Sequence, residues 1–218
     1  MSKINNVARN VVVLMAVLNS VAFGQNCKLS GTTDWNPSLR SVLADCSFTL
    51  PSPDGQLRLN VTASGVMSLW KNTEAKKAWR GPKLQPPAMV SWSPKSDTFF
   101  VNDGEGSGMS SVFRVFRVNG IQVMEDDSIE RAAVALYRRR THCTRSSADP
   151  NVWGFGWGMN GDSILLFVQP TVDEPCGPSG NFIGLIVQTS DGKIVETIPE
   201  VQMKKRFDSL LPPEMFSK

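Results

Sequence analysis

A single histidine, His142, serves the whole 218-residue chain. No C-x-x-C pair joins any of the four cysteines, so a zinc site of the finger or ribbon kind lacks its ligands. A Ser-His-Asp hydrolase would have one imidazole to choose from. The Gly-flanked serines Ser107 ("GEGSG") and Ser179 ("GPSG") both miss the G-x-S-x-G elbow. Phosphate-cradling Walker loops and the G-x-G-x-x-G dinucleotide fingerprint are absent, and no cofactor is expected. The S-x-x-K match at Ser68 and Lys71 lies in a strand-like run, where residues three apart point to opposite faces. The chain also lacks an apolar run of the ~20 residues that a membrane span needs.

The one apolar run near the start is short. Lys3 and Arg9 precede "VVVLMAVL" (Val11 to Leu18), and Ala22 and Gly24 are small residues ahead of Gln25. That layout predicts a secretory signal peptide over residues 1–24 and a single exported domain over 25–218, periplasmic or secreted and without a membrane anchor. Removing Lys3 and Arg9 with the leader reduces 23 basic residues to 21, against 20 acidic ones. So balanced a charge gives no general attraction for nucleic acid. An even cysteine count in an exported chain favours disulfides among Cys27, Cys46, Cys143 and Cys176. Three connectivities exist, and Cys27–Cys46 with Cys143–Cys176 closes the shortest loops.

Turn dipeptides punctuate the chain: Asp54-Gly55, Ser64-Gly65, Asn119-Gly120, Asn160-Gly161 and Asp191-Gly192. Such pairs tolerate the positive φ of tight hairpins, and their spacing predicts many short strands. Three segments read as helices. Asn36-Pro37 looks like a cap and first turn for a helix ending near Asp45. In Asp127 to Cys143, Ile129, Ala132, Ala133, Leu136 and Tyr137 recur at helical spacing. Pro199 to Leu211 has a weaker amphipathic pattern ahead of Pro212-Pro213.

Two stretches repeat. Val90 to Met124 and Phe155 to Ile198 each run through an aromatic strand (Trp92, Trp157), a turn ending in Asp (Asp97, Asp162), an apolar strand, a long polar loop and a hairpin. Gln56 to Trp70 matches only the closing hairpin. The expected fold is all-β: antiparallel four-stranded meander repeats, propeller-like or sandwich-like, with an inserted helix and a C-terminal helix. "SWSPKSD" resembles the opening strand and turn of WD-repeat-like β-propeller blades of the TolB type, in which an aromatic precedes Ser-Pro-Asp-Gly. Trp92, Ser93 and Pro94 carry the match, with Asp97 displaced; the second unit keeps Trp157 and Asp162 without a proline. The resemblance covers about a fifth of the chain, and it implies a scaffold that presents loops to protein partners.

Arg138, Arg139, Arg140, His142 and Arg145 form the most distinctive polar run. At a helix C-terminus they complement the dipole, and they are also suited to an acidic partner surface. Trp153, Phe155 and Trp157 alternate, so on a regular strand they would share one face, either core or a stacking platform for a small molecule or glycan. Asp103 with Glu105, and Glu125 with Asp126 and Asp127, offer carboxylates for a cation, for turns and helix caps, or for a hydrolase. The leading expectation is a non-catalytic exported protein that binds a protein partner, with an inhibitor or immunity-type role in view. A ligand-binding module and a carboxylate hydrolase are the alternatives.

Overall fold

Asn36 begins a strand, not the predicted helix. The computed structural model describes residues 32–33, 36–73, 77–106, 111–141, 149–171 and 182–213. In it β1 (Thr32–Thr33) pairs with β2 (Asn36–Val42), and β2 pairs in turn with β7 (Ala88–Trp92). The cap signal was real in its local chemistry. Asn36 Oδ1 accepts the Ser38 N–H (3.0 Å), the i to i+2 bond of an Asx turn, which starts either kind of element. A segment this short gains too little from helix formation to resist the neighbouring strand.

Three antiparallel meanders follow. The first is β3 (Phe48–Pro51), β4 (Leu57–Val61), β5 (Val66–Lys71) and β6 (Lys77–Lys83). The second joins β7 to β8 (Thr98–Asp103), β9 (Val112–Asn119) and β10 (Gln122–Asp126), so its sheet has the order β1-β2-β7-β8-β9-β10. The third is β11 (Asn151–Trp157), β12 (Ser163–Gln169), β13 (Ile183–Gln188) and β14 (Ile194–Pro199). Helix α1 (Ser128–Thr141) lies between the second and third, and α2 (Glu200–Arg206) with a 3₁₀ turn (Asp208–Leu210) follows the last strand.

The repeat is written in backbone hydrogen bonds. Ser52, Ser93 and Gly158 donate N–H to Leu57, Thr98 and Ser163 carbonyls, closing the first hairpin of each meander. Gly55, Ser96 and Gly161 then donate back to the carbonyls of Ser52, Ser93 and Gly158. All three sit at positive φ (71°, 64° and 71°), the left-handed region where glycine is free and serine is strained. Gln56 to Trp70 therefore forms the middle of a complete meander, not a closing hairpin alone. Its opening turn is Ser52-Pro53-Asp54-Gly55, preceded by Pro51 instead of tryptophan, and its fourth strand, "KAWRGPK", is too polar to read as one.

Meanders need cover on both faces, and here they stack. Leu59, Val61, Met67 and Leu69 of the first sheet pack on Val90, Phe99, Val101 and Phe116 of the second. Phe100, Phe113 and Val115 on the opposite face of the second sheet meet Val152, Ile164, Leu166 and Val187 of the third, with Ile129, Ala133 and Tyr137 of α1 alongside. The far face of the third sheet, with Phe155, Leu165, Phe167 and Ile198, is covered by Met203 of α2 and by Leu211. Among the described residues no hydrophobic core joins the first sheet to the third. The architecture is an all-β, propeller-like stack that stays open, with a helix over one end.

Candidate functional site

In the second and third meanders the short first turn lies at one end and the longer connection between the middle strands at the other. At that second end a cleft of about 740 Å³ opens between α1, β9 and β11, with Glu105, Asp149, Pro150 and Thr171 at its edge. Val112, Val134, Ala135 and Pro150 give it apolar walls; Glu105, Glu130, Arg131, Arg138, Asp149 and Asn151 give it charge and hydrogen-bonding groups.

Of the predicted arginine cluster, Arg138, Arg139 and Arg140 lie exposed in the last turn of α1. Arg138 is at the cleft and pairs with Asp149, while Arg139 and Arg140 form no ion pair among the described residues. His142 and Arg145 lie outside the described residues, as do Cys27, Cys143 and Cys176. Cys46 is buried and disulfide-bonded.

Glu130 reaches into the cleft from the first turn of α1. It is half-buried and accepts the Phe113 N–H at 3.3 Å. Burial pushes its carboxyl above the ordinary glutamate range, against the opposing pull of the Phe113 N–H and the Arg114 charge; Asp149 and Glu125 add to the rise. Arg131, its neighbour in the lining, is occupied by Asp127 at 3.0 Å. Thr171, also in the lining, holds a buried hydroxyl with no hydrogen-bond partner among the described residues.

The other carboxylates do structural work. Asp103 Oδ1 accepts the N–H groups of Gln85 (3.0 Å) and Glu105 (3.3 Å), pinning the turn after β8. Asp126 caps α1 through the Ser128 N–H (2.9 Å) and takes both Nε and Nη2 of Arg117. Burial alone would raise its pKa, but the Ser128 bonds and the Arg117 charge outweigh that and hold its carboxyl below the usual range. Among the described residues no group of three or more His, Cys, Asp or Glu side chains converges as a metal site.

The aromatic run does not share one face. Gly154 pairs with Leu166 and Gly156 with Leu165, so β11 bulges at Phe155. A bulge shifts the alternation by one residue. Trp153 and Phe155 pack towards Phe167, whereas Trp157 turns to the opposite side, onto Phe100 at 5.2 Å between ring centres. Phe155 is fully buried, and the Trp157 indole donates to Ser91 Oγ at 2.9 Å. Two buried asparagines fix the bulge. Asn102 donates to the Gly154 carbonyl (2.7 Å) and accepts its N–H (2.8 Å). Asn36 donates to the carbonyls of Phe155 (2.6 Å) and Leu210 (2.8 Å). Sequence reasoning gave Asn36 the role of a helix cap and missed Asn102, whose only sign was an amide at the end of the apolar run "TFFVN".

No family model and no curated protein matches the chain. Among solved structures it is similar to the β-propeller domain of Myceliophteria thermophila Cps50 (Swd1), with a TM-score of 0.37 and 11% identity. The match covers 75% of this chain and 44% of that one, so the chain spans less than half of that propeller's length. Among the described residues no helix is long and apolar enough to cross a membrane.

Proposed function

We propose that the protein is a non-catalytic, exported scaffold whose blades are of the TolB type and whose loop end docks a protein partner. The observation that carries this reading is the arginine face. Three guanidinium groups stand exposed on one helical turn beside the cleft, two of them without an ion pair among the described residues. Planar guanidinium groups bind carboxylates through paired hydrogen bonds, so the partner surface they suit is acidic. An inhibitor or immunity-type role against a secreted toxin or an envelope enzyme belongs to this reading.

The test is affinity capture from host envelope extract with the 25–218 protein and with a variant carrying Arg138→Ser, Arg139→Ser and Arg140→Ser. The arginine protein should retain a partner that the serine variant loses, with the same thermal unfolding curve for both. Equal capture by the two proteins refutes the docking face. Sequencing the N-terminus of protein expressed in its host checks export: it should begin at Gln25.

The alternatives fare differently. A stacking platform of Trp153, Phe155 and Trp157 has lost its shared face. The carboxylate hydrolase keeps a location, since Glu105, Glu130 and Asp149 line one cleft. Asp149 is already engaged by Arg138 and Glu130 by the Phe113 N–H.

A further inference from the structure

The charges that line the cleft between α1, β9 and β11 are unevenly satisfied. Arg131 is neutralised by Asp127 and Arg138 by Asp149. Among the described residues Glu130 has no cation in salt-bridge contact, and its hydrogen bond comes from a neutral backbone N–H. A half-buried carboxylate in that position is costly, because burial strips it of water and the nearby Arg114 charge offsets that only in part. The raised pKa of Glu130 reports that imbalance. Thr171, in the same lining, holds a buried hydroxyl with no hydrogen-bond partner among the described residues. Between these polar groups run the side chains of Val112, Val134 and Ala135, with room for a chain of several carbons.

We propose that this cleft binds an organic cation, a primary ammonium or guanidinium group on an apolar stem. The charged head is received by Glu130. The stem lies along Val112, Val134 and Ala135. The head could belong to a free aliphatic amine or to a lysine or arginine side chain of a partner, since the recognising chemistry is the same. The site goes beyond the arginine docking face and has the opposite charge preference.

That opposition makes the two separable. Removing Arg138 frees Asp149 to act on the cleft, so Arg138→Ser should strengthen amine binding even as it weakens an acidic partner. The experiment is isothermal titration of the full 25–218 protein with 1,5-diaminopentane, n-pentylamine and N-acetyl-lysine amide, with n-pentanol as the uncharged control. At least one amine should bind saturably, the alcohol should not, and Glu130→Gln should weaken the amine about tenfold or more. The Gln side chain still offers an acceptor to the Phe113 N–H, and an unchanged far-UV circular dichroism spectrum confirms the fold. Binding of the diamine or pentylamine assigns a free small amine; binding confined to the lysine derivative assigns a partner side chain. No saturable binding at millimolar amine, or equal affinity of the wild type and Glu130→Gln, overturns the site.

Discussion

Glu130 and Asp126 stand four residues apart and answer pH in opposite directions. Glu130 has a folded pKa above its unfolded value, so the folded state is favoured at low pH and loses ground as pH rises through that raised pKa. Glu130→Gln should therefore raise Tm at neutral pH, with the gain vanishing below the ordinary carboxylate range. Asp126 is the reverse. Its lowered pKa contributes stability above the unfolded aspartate value, and that stability is lost as pH falls through the folded one. Asp126→Asn should lower Tm at neutral pH and converge on the wild type in acid; melts across a pH series check both signs. The buried asparagines act without titrating. Asn102→Ala would strand the N–H and carbonyl of Gly154 in the core, at a cost of about 3 kcal/mol in chemical denaturation. Asn102→Asp should be worse, because a carboxylate cannot donate to that carbonyl.

At the scale of elements, the sequence was most legible where one periodicity acted alone. Helix α1 was foreseen because Ile129, Ala133 and Tyr137 recur at helical spacing, and all three are buried. The second and third meanders were foreseen because tryptophan, turn and apolar strand recur in order. Asn36 to Val42 misled because an Asx turn opens helices and strands alike. The first meander hid because Pro51 stands where the others have Trp92 and Trp157. The bulge at Phe155 could not be read at all, since it depends on Asn36 and Asn102 reaching across from other strands. The candidate site divides the same way. Arg138 to Arg140 are adjacent in the chain and visible, whereas Glu130, Asn151 and Thr171 meet only after the second and third sheets pack. Gly154 tests that packing. A Cβ there would lie 2.7 Å from the Phe113 ring and 2.9 Å from that of Phe100, both buried. Gly154→Ala should cost about 2 kcal/mol and lower the denaturation midpoint without changing its slope.

For the whole molecule, the two ends of the stack are finished by different means. The first sheet turns a polar face outward, where Arg58 lies over the Trp70 ring at 5.6 Å and the Trp70 indole donates to Ser68 Oγ at 2.9 Å. The third sheet instead presents Phe155, Leu165, Phe167 and Ile198, and α2 lies over them. Met203 fits against Gly184 so closely that a Cβ on that glycine would fall 2.0 Å from its sulfur. Met203→Ala should cost about 3 kcal/mol and loosen the helix. The larger consequence concerns solubility. Without the segment from Glu200 onward, the chain would keep all three meanders but gain a flat, adhesive aromatic wall that a second copy could cover. The shortened protein should elute as concentration-dependent dimers and higher species in size-exclusion chromatography, where the full chain elutes as one. Helix α2 thus stands between a discrete particle and a growing aggregate.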